Sequence, residues 1–176
     1  MNYKIWMFFF LFSFSLYGST LLEKAEKAYS IGNYIDAKKY FEEVAKQGDM
    51  KAQYNLGYLY EHGQGVKQND LKALVWYEKS AMQGYNNAQY NTATFYYKGK
   101  GTTQDYQKSI YWYLKAAKNG DTQAFYNLGV IYLKGEGVIR NKLKAFKFWI
   151  EAAKIGNPKA EDSLDLLCKE SPWVCR

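Results

Sequence analysis

From residue 48 onward, apolar and polar positions return in the same order every 36 residues. Gly48, Gly84, Gly120 and Gly156 share one column, and Ala52, Ala88, Ala124 and Ala160 share another. Tyr54, Tyr90 and Tyr126 keep the interval, as do Asn55, Asn91 and Asn127. So do the glycine pairs Gly63 and Gly65, Gly99 and Gly101, Gly135 and Gly137. Each unit reads as two helices. The first starts near Ala52 and carries Tyr54, Leu56, Tyr58, Leu59 and Tyr60; the second carries Leu71, Leu74, Val75, Trp76 and Tyr77 and closes at Ser80 and Ala81. The intervening HGQGVKQ holds two glycines that end the first helix and permit positive φ. Asn69, Asp105 and Asn141 occupy one column at the start of the second helix, where a short polar side chain accepts from an orphan backbone N–H. Asn157-Pro158 is the same signal, a cap followed by proline at the first helical position.

One helix pair cannot bury its apolar face alone, so the period predicts stacked pairs. The expected fold is all-α, a right-handed α/α solenoid of antiparallel helix pairs. Its expected divisions are a capping pair over 19–48, three repeats over 49–84, 85–120 and 121–156, and a C-terminal helix and tail over 157–176. The capping pair rests on Ala37, Tyr40, Phe41, Ala45 and Gly48, which fall 36 residues before Ala73, Trp76, Tyr77, Ala81 and Gly84, with a short Gly32-Asn33 turn. The columns Trp76/Trp112/Phe148 and Tyr77/Tyr113/Trp149 read as packing between helices.

The first eighteen residues break the pattern. Lys4 is followed by the apolar run IWMFFFLFSFSLY, about 20 Å long as a helix and short of a bilayer core of roughly 30 Å. Gly18 and Ser19 then precede a charged sequence. This is the pattern of a secretory signal peptide over residues 1–18, cut near Gly18, and it predicts a periplasmic or secreted chain that is not transmembrane after cleavage. An uncleaved N-terminal anchor is the other reading.

The stretch AQYNLGYLYEHGQGVKQNDLKALVWYEKSAMQG, residues 52–84, resembles a Sel-one-like repeat, the 36-residue relative of the tetratricopeptide repeat. Residues 124–156 resemble it nearly as well. The middle unit departs, with Thr92-Ala93 for Leu-Gly, Gly101-Thr102 for Gly-Val and Ser109 for Ala, and residues 25–48 look more like a plain tetratricopeptide repeat. The resemblance implies an adaptor that organises protein complexes. It also brings in a cysteine-rich, exported branch described as binding or hydrolysing β-lactams.

That activity finds little support in the residues. The motifs S-x-x-K, S-D-N and K-T-G of serine β-lactamases are missing from the sequence, and His62 is the sole histidine, too few for a zinc enzyme. The repeat junctions carry Ala81/Ala88 and Ala117/Ala124 where the cysteine-rich branch carries its bridges. No catalytic residue, metal site or cofactor is expected.

The net charge of +7 comes almost wholly from lysine, since Arg140 and Arg176 are the only arginines. A nucleic-acid reader would cluster arginine, so no nucleic-acid partner is expected. The lysines form either a solvated surface or a face toward an acidic partner such as a membrane surface or acidic glycan. Cys168 and Cys175 predict one intrachain disulfide that pins the tail, Trp173 included, against the last apolar surface.

A protein or peptide partner is expected on the first helix of each pair. Asn55 and Tyr58, then Asn91, Thr94 and Lys98, then Asn127 and Lys134 recur at helical spacing there, beside Lys51, His62 and Val130. The asparagine row reads either as hydrogen-bonding groups for an extended peptide or as part of the packing of the repeat. The leading expectation is an exported protein-binding scaffold. A β-lactam-binding or -hydrolysing protein and an envelope protein binding glycan are the alternatives.

Overall fold

A computed structural model describes residues 20–175. The expected signal segment 1–18 and its cut near Gly18 lie outside the described residues. The chain divides into two compact units between Tyr85 and Asn86.

The first unit holds α1, described over 20–30, α2 (Tyr34–Lys46), α3 (Met50–His62) and α4 (Asp70–Met82). Its core is Ala25, Phe41, Ala52, Leu56, Leu59, Ala73 and Tyr77, all at most 1% exposed. The second unit holds α5 (Asn86–Lys98), α6 (Tyr106–Lys118), α7 (Thr122–Lys134), α8 (Lys142–Lys154), α9 (Pro158–Glu170) and a 3₁₀ turn at Pro172–Val174. Its buried residues include Ala88, Phe95, Tyr113, Ala116, Leu128, Ile131, Trp149, Ala160 and Leu167. Within each unit consecutive helices pack as antiparallel pairs, and no strand occurs among the described residues. The all-α reading of stacked helix pairs is correct.

The caps explain where the helices begin. Asn69 Oδ1 accepts from Lys72 N at 2.9 Å, Asp105 from Lys108 N at 3.0 Å and Asn141 from Lys144 N at 2.8 Å. Asn157 caps α9, with Pro158 next. Each cap satisfies one donor that the first helical turn leaves without an intrahelical acceptor. At the other end, Gly63 and Gly135 close α3 and α7 in the left-handed region, at φ 66° and 78°.

The alanine and polar columns lock the pairs. Gln83 Nε2 donates to Gln53 Oε1 at 2.8 Å in the first unit, and Asn119 Nδ2 donates to Gln89 Oε1 at 3.0 Å one period later in the second. Of the two aromatic columns, Tyr77, Tyr113 and Trp149 form the core. In the other, Trp112 is buried, but Trp76 and Phe148 are half-exposed: Lys79 lies over Trp76, and Phe148 stacks on Tyr132.

The tail corrects one expectation. Cys168 and Cys175 are bridged, but Trp173 stands 65% exposed and Val174 is the residue buried. The 3₁₀ turn that follows Pro172 explains the exchange. It turns consecutive side chains to different sides, and the smaller Val174 is the one that joins Trp149, Ala160 and Leu167.

Candidate functional site

The middle repeat opens a cavity of about 230 Å³ in the second unit, lined by Tyr90, Thr94, Tyr97 and Lys98 of α5, Tyr113 of α6, and Asn127 and Val130 of α7. Its origin is a change of size within a repeat column. Tyr58 of the first repeat stands one period before Thr94, and Val130 stands one period after it. Where Tyr58 fills space by stacking on His62 at 4.0 Å between centroids, Thr94 and Val130 leave it open.

The walls are hydrogen-bonded in order. Thr94 Oγ1 donates to the Tyr90 carbonyl at 3.1 Å. A threonine hydroxyl has one proton, so the 2.9 Å contact with Tyr113 is a donation from the phenol to Thr94. Asn127 Nδ2 donates to Tyr90 Oη at 3.4 Å and its Oδ1 accepts from Gln123 Nε2 at 3.4 Å. Across the mouth, Tyr97 Oη donates to Glu136 Oε2 at 2.7 Å.

Burial, and then the bond to Glu136, push the Tyr97 phenol up to about 12. Burial pushes Tyr113 up as well. Both therefore stay protonated donors at neutral pH. The Tyr97, Tyr113 and Thr94 protons are already taken by Glu136, Thr94 and the Tyr90 carbonyl. The donors left for a ligand are the Lys98 ammonium at the exposed rim, the second Asn127 N–H and the Tyr90 hydroxyl. Against aromatic walls these suit a ligand group rich in acceptors, such as a peptide carbonyl or carboxylate.

Of the residues expected to bind, Thr94, Lys98 and Asn127 come together here. Asn91 is half-buried on α5 outside the lining, and Lys134 lies 3.6 Å from Glu136 and borders a different hollow with Tyr126, Leu133, Trp149 and Leu166. Asn55 and Tyr58 belong to the first unit, where Tyr58 contacts His62 and Tyr29. Sequence reasoning missed Tyr90, Tyr97 and Tyr113 as site residues. The signal was present in the 61/97/133 column, which runs Glu61, Tyr97, Leu133 and places a phenol only in the middle unit. Among the described residues no cluster of three His, Cys, Asp or Glu side chains is placed to hold a metal.

The comparisons agree with this architecture. A solved protective antigen of uropathogenic Escherichia coli, c5321, is 31% identical with a TM-score of 0.83 over 88% of this chain and 34% of its own. A solved Sel1 repeat protein of Oxalobacter formigenes is 30% identical with a TM-score of 0.76 over 84% of this chain and 62% of its own. HcpE of Helicobacter pylori, named as a candidate beta-lactamase, is 38% identical over 64 residues, 35% of this chain and 18% of HcpE. The chain thus spans less than two thirds of each of these proteins. The Sel1 repeat model matches residues 28–49, 51–85, 86–121 and 122–157, well over half of the chain, and the protein belongs to the Sel1 repeat family.

Proposed function

We propose that this protein is an exported scaffold of the periplasm or the extracellular space that holds a protein partner, and that the α5–α7 cavity takes an acceptor-rich segment of that partner. Sel1 repeats generally mediate protein interactions. The carrying observation is the open Thr94 position, which brings Lys98, Asn127 and the Tyr90 hydroxyl into one aromatic-walled hollow. The expected signal segment 1–18 supports export. The match to HcpE covers 64 residues, 18% of that protein, and by itself carries no activity over to this chain.

The test has two parts. Fractionation and N-terminal mass determination of the mature chain expect a start at residue 19 outside the cytoplasm; an intact cytoplasmic chain overturns export. Capture from envelope extracts with the chain from residue 19 expects one or two proteins that free bait displaces. Recovery of cell-wall polymer alone favours the glycan alternative and overturns the scaffold.

A further inference from the structure

The second helices of the two repeats in the second unit carry a charge that the corresponding helix of the first unit does not. On α6, Lys108, Lys115 and Lys118 stand with no acid within the helix, and Lys108 alone of them has a carboxylate nearby, the capping Asp105 at 3.9 Å. On α8, Lys142, Lys144, Lys147 and Lys154 stand with Glu151; Lys142 donates to Ser171 Oγ at 2.5 Å, and Glu151 pairs with Lys154 at 2.7 Å. The equivalent α4 is balanced, with Asp70 and Glu78 beside Lys72 and Lys79.

The period carries one face onto the other. Lys108 lies over the Tyr96 ring and Lys144 over the Tyr132 ring, each at 4.9 Å from the centroid, in the same column. Gln107 Nε2 donates to the Gly137 carbonyl, so the start of α6 lies against the loop leading into α8. Lys115, Lys118 and Lys147 have no carboxylate within ion-pair distance among the described residues.

Apolar side chains stand between these lysines. Tyr111 is 52% exposed, and Leu114 and Leu143 are each 44% exposed. Beside them Phe125, Tyr132 and Phe148 line a hollow of about 310 Å³ that also carries Lys144, Lys147 and Glu151, the acid paired with Lys154.

We propose that the exposed face of α6 and α8 docks on an anionic lipid bilayer. Ammonium groups on long apolar stems reach the headgroup phosphates while their stems and the interleaved Tyr111, Leu114 and Leu143 enter the interfacial layer. A carboxylate or phosphate polymer would meet the ammonium groups but leave those apolar side chains in water. A nucleic acid would favour arginine, which neither helix contains.

The test uses the chain from residue 19, which keeps every described helix and omits the apolar run at 5–17. Co-sedimentation is measured with vesicles of equal phosphatidylglycerol and phosphatidylcholine and with vesicles of phosphatidylcholine alone. The anionic vesicles are expected to hold about tenfold more protein, and added salt to release it. Lys115→Glu/Lys118→Glu/Lys147→Glu is expected to remove this preference, Tyr111→Ser/Leu114→Ser to reduce binding at unchanged charge, and Lys72→Glu/Lys79→Glu on α4 to leave it intact. Circular dichroism confirms that each variant is helical. Equal binding to both vesicles, no binding to either, an α4 variant as defective as the α6/α8 one, or unchanged binding by the serine variant overturns the proposal. So does capture by soluble anionic polymer with no retention on anionic vesicles.

Discussion

The Trp149 indole lies so close to Gly129 that a Cβ on that glycine would stand 2.2 Å from Nε1. The same nitrogen donates to the Tyr126 carbonyl at 3.1 Å, so the ring cannot retreat without losing a bond. Gly129→Ala therefore forces the α7–α8 pair apart. A helical alanine recovers less than about 1 kcal/mol, against about 1–3 kcal/mol for overpacking. The net result expected is a lower thermal midpoint by circular dichroism.

Gly57→Ala tests the same column in the first unit. There the added Cβ meets the Tyr77 ring at 2.8 Å, a milder overlap. Its midpoint is expected to fall less than that of Gly129→Ala. The middle repeat already carries Ala93 at this position, fully buried.

Thr92 and Ser109, both 0% exposed, place hydroxyls in the core of the second unit with no hydrogen-bond partner. An orphaned buried hydroxyl costs about 1–3 kcal/mol of desolvation. Thr92→Val keeps the shape, and Ser109→Ala restores the residue found at Ala73 and Ala145. Each is expected to raise the denaturation midpoint. A fall in either would show that the hydroxyl is satisfied.

Much of the fold was readable because the chain states each element more than once. Asn69, Asp105 and Asn141 identify a cap that any one of them would leave ambiguous, and the glycine pairs place the turns. The site was readable only in part. Thr94, Lys98 and Asn127 followed from helical spacing. Tyr96 and Tyr97 are adjacent and chemically alike, so pattern alone could not say that Tyr96 is buried while Tyr97 reaches Glu136. Tyr113 was read as core, which it is, yet its hydroxyl also lines the cavity. Trp173 was misplaced because the disulfide says only that the tail is held, whereas the turn after Pro172 decides that Val174 is the side chain facing inward.

Alkaline stability follows from Tyr97. Its folded-state pKa of about 12 exceeds the unfolded value of 10.0, so the folded chain holds the proton longer. The stabilising contribution is complete below pH 10 and is lost as pH rises from there through about 12. Thermal midpoints are expected to fall across this window, and to fall less in Tyr97→Phe. An equal fall in the variant would remove Tyr97 as a source.

Cleavage of the Cys168–Cys175 bridge frees a short loop, worth about 2–3 kcal/mol in the chain-entropy account. Reduction, or Cys168→Ser/Cys175→Ser, is expected to release Val174 from Trp149 and Leu167 and increase hydrogen exchange in α9. Exchange in α3 and α4 is expected to remain as it was.

The most direct measurement of the central claim is the affinity of the captured partner for the wild-type chain, Thr94→Tyr and Asn127→Ala. Thr94→Tyr places in the cavity the residue that Tyr58 supplies one repeat earlier. If the cavity holds the partner, both variants lose about tenfold or more in affinity while keeping the helical signal. Wild-type affinity in a folded Thr94→Tyr would contradict the assignment.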